Sequence, residues 1–192
     1  MWLKLRVSWP SNGCGGGHEV VSRLIVDGYN LLYAHPVYGS LIKTDIDTAR
    51  ARLVADLAGL AQGERRVVVV FDGGGNPHSD GSPHHVGKLV VIFSPAGATA
   101  DTVIERLAAR ARNRGEQAIV VTSDAATRQA VRSGSVSVLT SEHFVEDLAA
   151  DAADRHGASS AGARRVALAG RIDPVARAAL ARWARGQRPG SR

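Results

Sequence analysis

The run Val67-Val68-Val69-Val70-Phe71 is apolar on both of its faces, and this limits the fold more than any other feature of the chain. Successive side chains of a strand point to opposite sides. A strand that is apolar throughout therefore needs a helical layer on each side of its sheet. Shorter Val- and Ile-rich runs occur near 23–26, 88–93, 118–122 and 136–139. Helical patterns fall between them at 45–62, with Asp45 or Asp47 as cap, and at 99–114, 125–133 and 142–155. Buried strands alternating with helices predict a doubly wound, three-layer α/β/α sandwich on a mostly parallel five-stranded sheet.

Four aspartates stand where these strands give out. Asp27 follows Leu24-Ile25-Val26, Asp72 follows Val67 to Phe71, and Asp124 follows Ile119 to Ser123. Asp101, in Thr99-Ala100-Asp101, follows its strand at one remove, at the start of the next helix. In an open parallel sheet the strand C-termini share one edge, and ligands bind in the crevice there. Each aspartate alone has an ordinary explanation as a helix N-cap or turn former. Together they would repel, by roughly 3 kcal/mol for a pair about 5 Å apart at an effective dielectric near 20. A hard divalent cation with oxygen ligands offsets that repulsion, so the pattern points to Mg²⁺ or Mn²⁺ and to phosphodiester chemistry.

Other residues join this set with weaker claims. Glu105 lies four residues after Asp101 on one helix face, as a further metal ligand or as a partner of Arg106 or Arg110. Asn30, in Asp27-Gly28-Tyr29-Asn30, can orient a metal ligand or contact phosphate. Ser123 can donate to a carboxylate or phosphate, or serve a turn. The segment Gly73 to Gly87 carries no apolar pattern and reads as a long loop leaving the active edge, either gripping substrate or connecting only. Its histidines, His78, His84 and His85, lack a metal-binding spacing, and Gly73-Gly74-Gly75 lacks the spacing of a dinucleotide site.

Net charge is +6, but unevenly placed. Residues 24–155 carry 13 basic against 16 acidic side chains, whereas residues 156–192 carry eight arginines against Asp173. The extension can bind polyanions by counterion release, with Arg164 and Arg165 as phosphate contacts, or act only as a solubilising tail. Within it, Pro174 to Arg185 reads as a short basic amphipathic helix that docks on the core or on nucleic acid. Residues 1–22 are expected to form a disordered leader; Gly15-Gly16-Gly17 followed by Val20-Val21 suggests translation from a later valine start. The single cysteine, Cys14, excludes an internal disulfide and a cysteine-based zinc site. No apolar run reaches the roughly 20 residues of a membrane span, and a cytoplasmic location is the expectation.

The elements Val26-Asp27-Gly28-Tyr29-Asn30-Leu31-Leu32, Val70-Phe71-Asp72, Thr99-Ala100-Asp101 and Val121-Thr122-Ser123-Asp124 resemble the YacP-like NYN domains, a branch of the PIN-like nuclease superfamily. The resemblance covers roughly residues 23–155. It implies a Rossmann-like PIN fold, with a Mg²⁺ or Mn²⁺ site formed by Asp27, Asp72, Asp101 and Asp124 and with Asn30 beside it. It also implies RNA as substrate, since well-known bacterial members are endoribonucleases acting on mRNA at the ribosome. The Gly-rich segment after Asp72 departs from the family pattern.

Three functions compete on this reading. The first is a metal-dependent endoribonuclease, in which a metal-activated water attacks the phosphodiester and leaves a 5′-phosphate and a 3′-hydroxyl. The second is a catalytically inactive RNA-binding module of the same fold, disfavoured because a pure polyanion binder gains by losing its acidic residues. The third is a phosphotransfer protein, disfavoured because no second aspartate follows Asp27 at two residues' distance and Ser141-Glu142 stands where a receiver domain needs lysine.

Overall fold

The computed structural model describes residues 22–61, 66–74, 76–146 and 174–185. The chain runs β1 (Ser22–Asp27), α1 (Gly28–Ala34), α2 (Pro36–Ile42), α3 (Ile46–Leu60), β2 (Arg66–Phe71), β3 (Pro83–Val86) and β4 (Leu89–Phe93). It continues with α4 (Ala100–Asn113), β5 (Gln117–Val121), α5 (Ala125–Val131), β6 (Val136–Leu139), a helix α6 described over 141–146, and α7 (Pro174–Ala184). The sheet order is β3-β4-β2-β1-β5-β6. Every neighbouring pair is parallel except β3–β4.

The two-sided apolar strands do what their pattern requires. Leu24, Val26, Val67, Val69, Phe71, Ile119 and Val121 face one core, shared with α1, α2, α3, Phe144 of α6 and Leu180 of α7. Ile25, Val68, Val70, Ala118 and Val120 face a second core, closed by Ile104, Leu107, Ala108 and Ala111 of α4 and Val131 of α5. The period-two alternation thus divides each strand between two helical layers.

The sheet has six strands where five were expected. The additional strand, β3, lies inside the segment read as a loop. It pairs antiparallel with β4 through a turn at Gly87, whose φ of 60° suits glycine. Pro83, His84 and His85 give it no apolar signature, which is usual for a short, protected edge strand. Helices α1 and α2 were also not anticipated. At seven residues each they are too short to show periodicity, and they rest on their caps: Asp27 for α1, and His35 followed by Pro36 for α2.

Helix α7 docks on the core. Leu180 is 1% exposed, and the Trp183 ring stacks on His84 with centroids 4.4 Å apart. Asn76 Nδ2 donates to the Ala184 carbonyl at 2.9 Å, and Arg177 pairs with Asp45 at 2.6 Å. Among the described residues no helix is long and apolar enough to cross a membrane.

Candidate active edge of the sheet

From β1 the chain builds outward through β2 to β4, then returns by α4 to β5 on the other flank of β1. The strand order therefore reverses between β1 and β5, and the crevice of a doubly wound sheet opens at their C-terminal ends. Asp27 ends β1 there, and Thr122, Ser123 and Asp124 follow β5.

Asp27 is 4% exposed. Its Oδ1 accepts the Asn30 backbone N–H at 3.1 Å, and its Oδ2 accepts from the Asn30 side-chain amide and from Thr122 Oγ1, the latter at 3.2 Å. Burial pushes this carboxyl above the usual carboxylate range, and the charge of Asp101 pushes it the same way. The Asn30 and Thr122 donors pull it back. Asp27 is thus a carboxylate kept in an unfavourable place by directed hydrogen bonds and within the field of a second carboxylate.

Gly28 lets this turn close. A Cβ at position 28 would lie 2.4 Å from two ring carbons of Phe71, so the backbone after Asp27 rests directly on the residue before Asp72. Tyr29 meets the Phe71 ring edge-on, and Arg50 donates to the Tyr29 hydroxyl.

The other aspartates are held in different ways. Asp101 lies in the first turn of α4, which is capped by Thr99, and its Oδ1 accepts from Thr127 Oγ1 at 2.7 Å. Asp124 caps α5 by accepting the Thr127 N–H at 2.7 Å; that bond and the Thr127 side chain hold its carboxyl below the usual range. Thr127, 1% exposed, therefore joins Asp101 to Asp124. Asp72 accepts from Gly74 N at 2.7 Å and from Ala100 N at 3.3 Å, tying the end of β2 to the start of α4.

Ser123 Oγ donates to Glu142 at 2.8 Å and accepts from Ser141 N at 3.2 Å, which ties it to the start of α6. Glu105 is exposed one turn along α4 from Asp101. Arg164 and Arg165 lie outside the described residues, as do residues 1–21 of the leader. Sequence reasoning missed Thr122 and Thr127. A weak signal existed for Thr127, at the third helical position after the Asp124 cap; none existed for Thr122, whose partner Asp27 is 95 positions away.

Among the described residues no three His, Cys, Asp or Glu side chains form a ready-made metal-binding group. Mg²⁺ is commonly held through one or two carboxylates, with waters and substrate phosphates completing its shell. Asp27 and Asp101 lie within each other's field, and their oxygens are of the hard type such an ion takes.

The mixed α/β fold with its mostly parallel six-stranded sheet is that of a family with a nuclease-like, PIN-like fold. A family model for the YacP-like NYN domain matches residues 24–185, and the chain belongs to that family. The match reaches through α7. Two solved structures of Rae1 (YacP) from Bacillus subtilis are similar at 26% identity. One covers 85% of this chain and 94% of its own, with a TM-score of 0.58. The other, a tryptophan-to-leucine mutant, covers 83% and 98%, with a TM-score of 0.57. A search of the curated proteins finds no match.

Proposed function

We propose that this protein is a Mg²⁺- or Mn²⁺-dependent endoribonuclease. The observation that carries the reading is the buried Asp27 carboxylate at the switch point, raised in pKa by burial and by the opposing charge of Asp101. A desolvated carboxyl beside a second charge at such an edge is a functional-site candidate, beyond its use as the cap of α1. Membership of a nuclease-like family and likeness to Rae1 support the choice of RNA over other phosphodiesters.

In this reading Asp27 and Asp101 hold the ion, and Asp72, Asp124 and Glu105 are the remaining carboxylates of the site. A bound Mg²⁺ or Mn²⁺ supplies polarisation of a phosphoryl oxygen and a water of lowered pKa. The protein's own residues supply orientation. Asn30 and Thr122 fix the Asp27 rotamer, and Thr127 fixes Asp101 relative to Asp124. Ser123, Asn30, Arg164 and Arg165 are assigned to the RNA phosphates. An mRNA substrate met at the ribosome in the cytoplasm belongs to the same proposal and follows from the family alone.

The test is cleavage of end-labelled RNA with Mg²⁺ or Mn²⁺, before and after EDTA, with Asp27→Asn and Asp124→Asn. Asparagine is as good an N-cap as aspartate, so Asp124→Asn keeps α5 while removing the charge. Both variants should lose cleavage and keep their fold. Full activity in either variant, or cutting that survives EDTA, refutes the assignment.

A further inference from the structure

From Arg106 to Gly115 the chain carries four arginines and no acidic residue, in a domain whose net charge is otherwise negative. These residues form the second half of α4 and its cap. Ile104, Leu107, Ala108 and Ala111 face the core, which leaves Arg106, Arg110 and Arg114, at spacing i, i+4 and i+8, on an exposed stripe.

Of the other described arginines, Arg23 pairs with Glu116, Arg50 with Asp47, Arg52 with Asp56 and Arg177 with Asp45, while Arg66, Arg132, Arg182 and Arg185 are exposed without forming a stripe of three along one helix. Among the described residues the only ion pair of the stripe is Arg114 to Glu116, at 3.9 Å, and that carboxylate is already held by Arg23 at 2.8 Å. Complementing the helix dipole accounts for Arg110 and Arg114, in the last turn and at the cap, but not for Arg106. That effect falls off within the last turn, whereas Arg106 lies seven residues before the last residue of α4. Like charges at i, i+4 also oppose the helix, by about 0.2–0.5 kcal/mol per pair. The stripe contains two such pairs and no acidic residue between them, so it lowers the stability of the free helix.

We propose that Arg106, Arg110 and Arg114 form a docking rail for the phosphate backbone of RNA, separate from the acidic edge. The rail takes RNA from the reading above but does not require that the RNA be cut. From Arg106 to Arg114 the helix rises about 12 Å, enough to meet more than one phosphate of a strand. Guanidinium groups suit phosphate oxygens through paired N–H donors. An acidic protein partner fits less well, because a protein interface needs an apolar centre. The exposed large hydrophobic residues, Tyr33 and Val37, belong to α1 and α2 rather than to this stripe. Helix α4 also begins beside Asp101, about 8 Å along its axis from Arg106. A strand held on the rail is therefore delivered towards the acidic edge.

The test is fluorescence anisotropy of a labelled single-stranded RNA in EDTA across a salt series. It compares wild type with Arg106→Gln/Arg110→Gln, and uses Lys43→Gln/Arg66→Gln as an exposed control of equal charge loss. The rail variant should bind about tenfold more weakly, with a log K against log salt slope shallower by about 1.4, the value for two phosphate contacts on a single strand. Its thermal stability should be unchanged or higher. The control should stay within about twofold of wild type. An unchanged slope, an equal loss in the control, or poly-glutamate binding as tightly as RNA overturns the rail. Binding is read without metal, so a rail variant that binds weakly while wild type never cuts RNA refutes the nuclease and leaves the rail standing.

Discussion

Replacing Gly28 by alanine probes how closely the acidic turn is built onto the sheet. The added Cβ would sit 2.4 Å from two carbons of the Phe71 ring and 3.0 Å from a third. Phe71 cannot simply retreat. It is fully buried, stacked on Phe93 at 5.4 Å and met edge-on by Tyr29 at 5.6 Å. Overpacking of this kind costs about 1–3 kcal/mol. Alanine for glycine within a helix returns at most about 1 kcal/mol, and less in the first turn, where Gly28 lies. Steric cost therefore wins. A net loss of about 1–2 kcal/mol lowers Tm by roughly 2–8 °C in a domain of this size. The same strain moves the Asn30 N–H away from Asp27 Oδ1, so RNA cleavage should fall further than stability alone accounts for. Differential scanning fluorimetry and a cleavage assay on Gly28→Ala measure both effects. Adding Phe71→Leu should make the double variant less destabilised than the two singles together, by about 0.5–3 kcal/mol. A Tm within about 1 °C of wild type, or strict additivity, would show that the turn is not packed against Phe71 as described.

Thr127→Val keeps the shape of a residue that is 1% exposed but removes the donor to Asp101. A hydrogen bond to a charged group contributes about 1.5–3 kcal/mol, with the lower end expected here because Asp101 is only partly buried. Urea unfolding should show that loss together with reduced cleavage; unaltered activity would mean that Asp101 needs no such guide. The second expectation concerns pH. Burial holds His84 below its ordinary pKa, with His85 acting the same way and Asp80 opposing both. The folded state thus resists protonation while the unfolded chain accepts it. Stability is full above about 6.5 and is lost as pH falls from there through the folded value. Phe in place of His84 keeps an aromatic ring against Trp183 and cannot titrate. Urea midpoints at neutral and mildly acidic pH should therefore differ less in His84→Phe than in wild type; an equal difference in both would remove His84 as the cause.

Local pattern was enough to reveal the layers, most of the helices, and the positions of Asp27, Asp72, Asp101 and Asp124 at one edge. Burial on both faces of a strand is written into its residues, and a strand end is followed by its own turn. Roles within the edge were not legible in the same way. In sequence the four aspartates are equivalent strand-end carboxylates. In the fold Asp27 is buried within the field of Asp101, Asp124 caps a helix, and Asp72 binds backbone. Thr122 was invisible because its partner comes from another strand, and β3 was invisible because its residues carry no apolar alternation.

Helix α7 marks the same boundary. Its apolar side fits a core and its arginines fit a nucleic acid, and the spacing alone does not say which is engaged. Only the surface left open beside α3, together with the stacking of Trp183 on His84, chose the core. Sequence determined which segments must be buried and where charge collects along the chain. Tertiary structure decided which charges face one another, because strand order brings together residues that no local pattern connects.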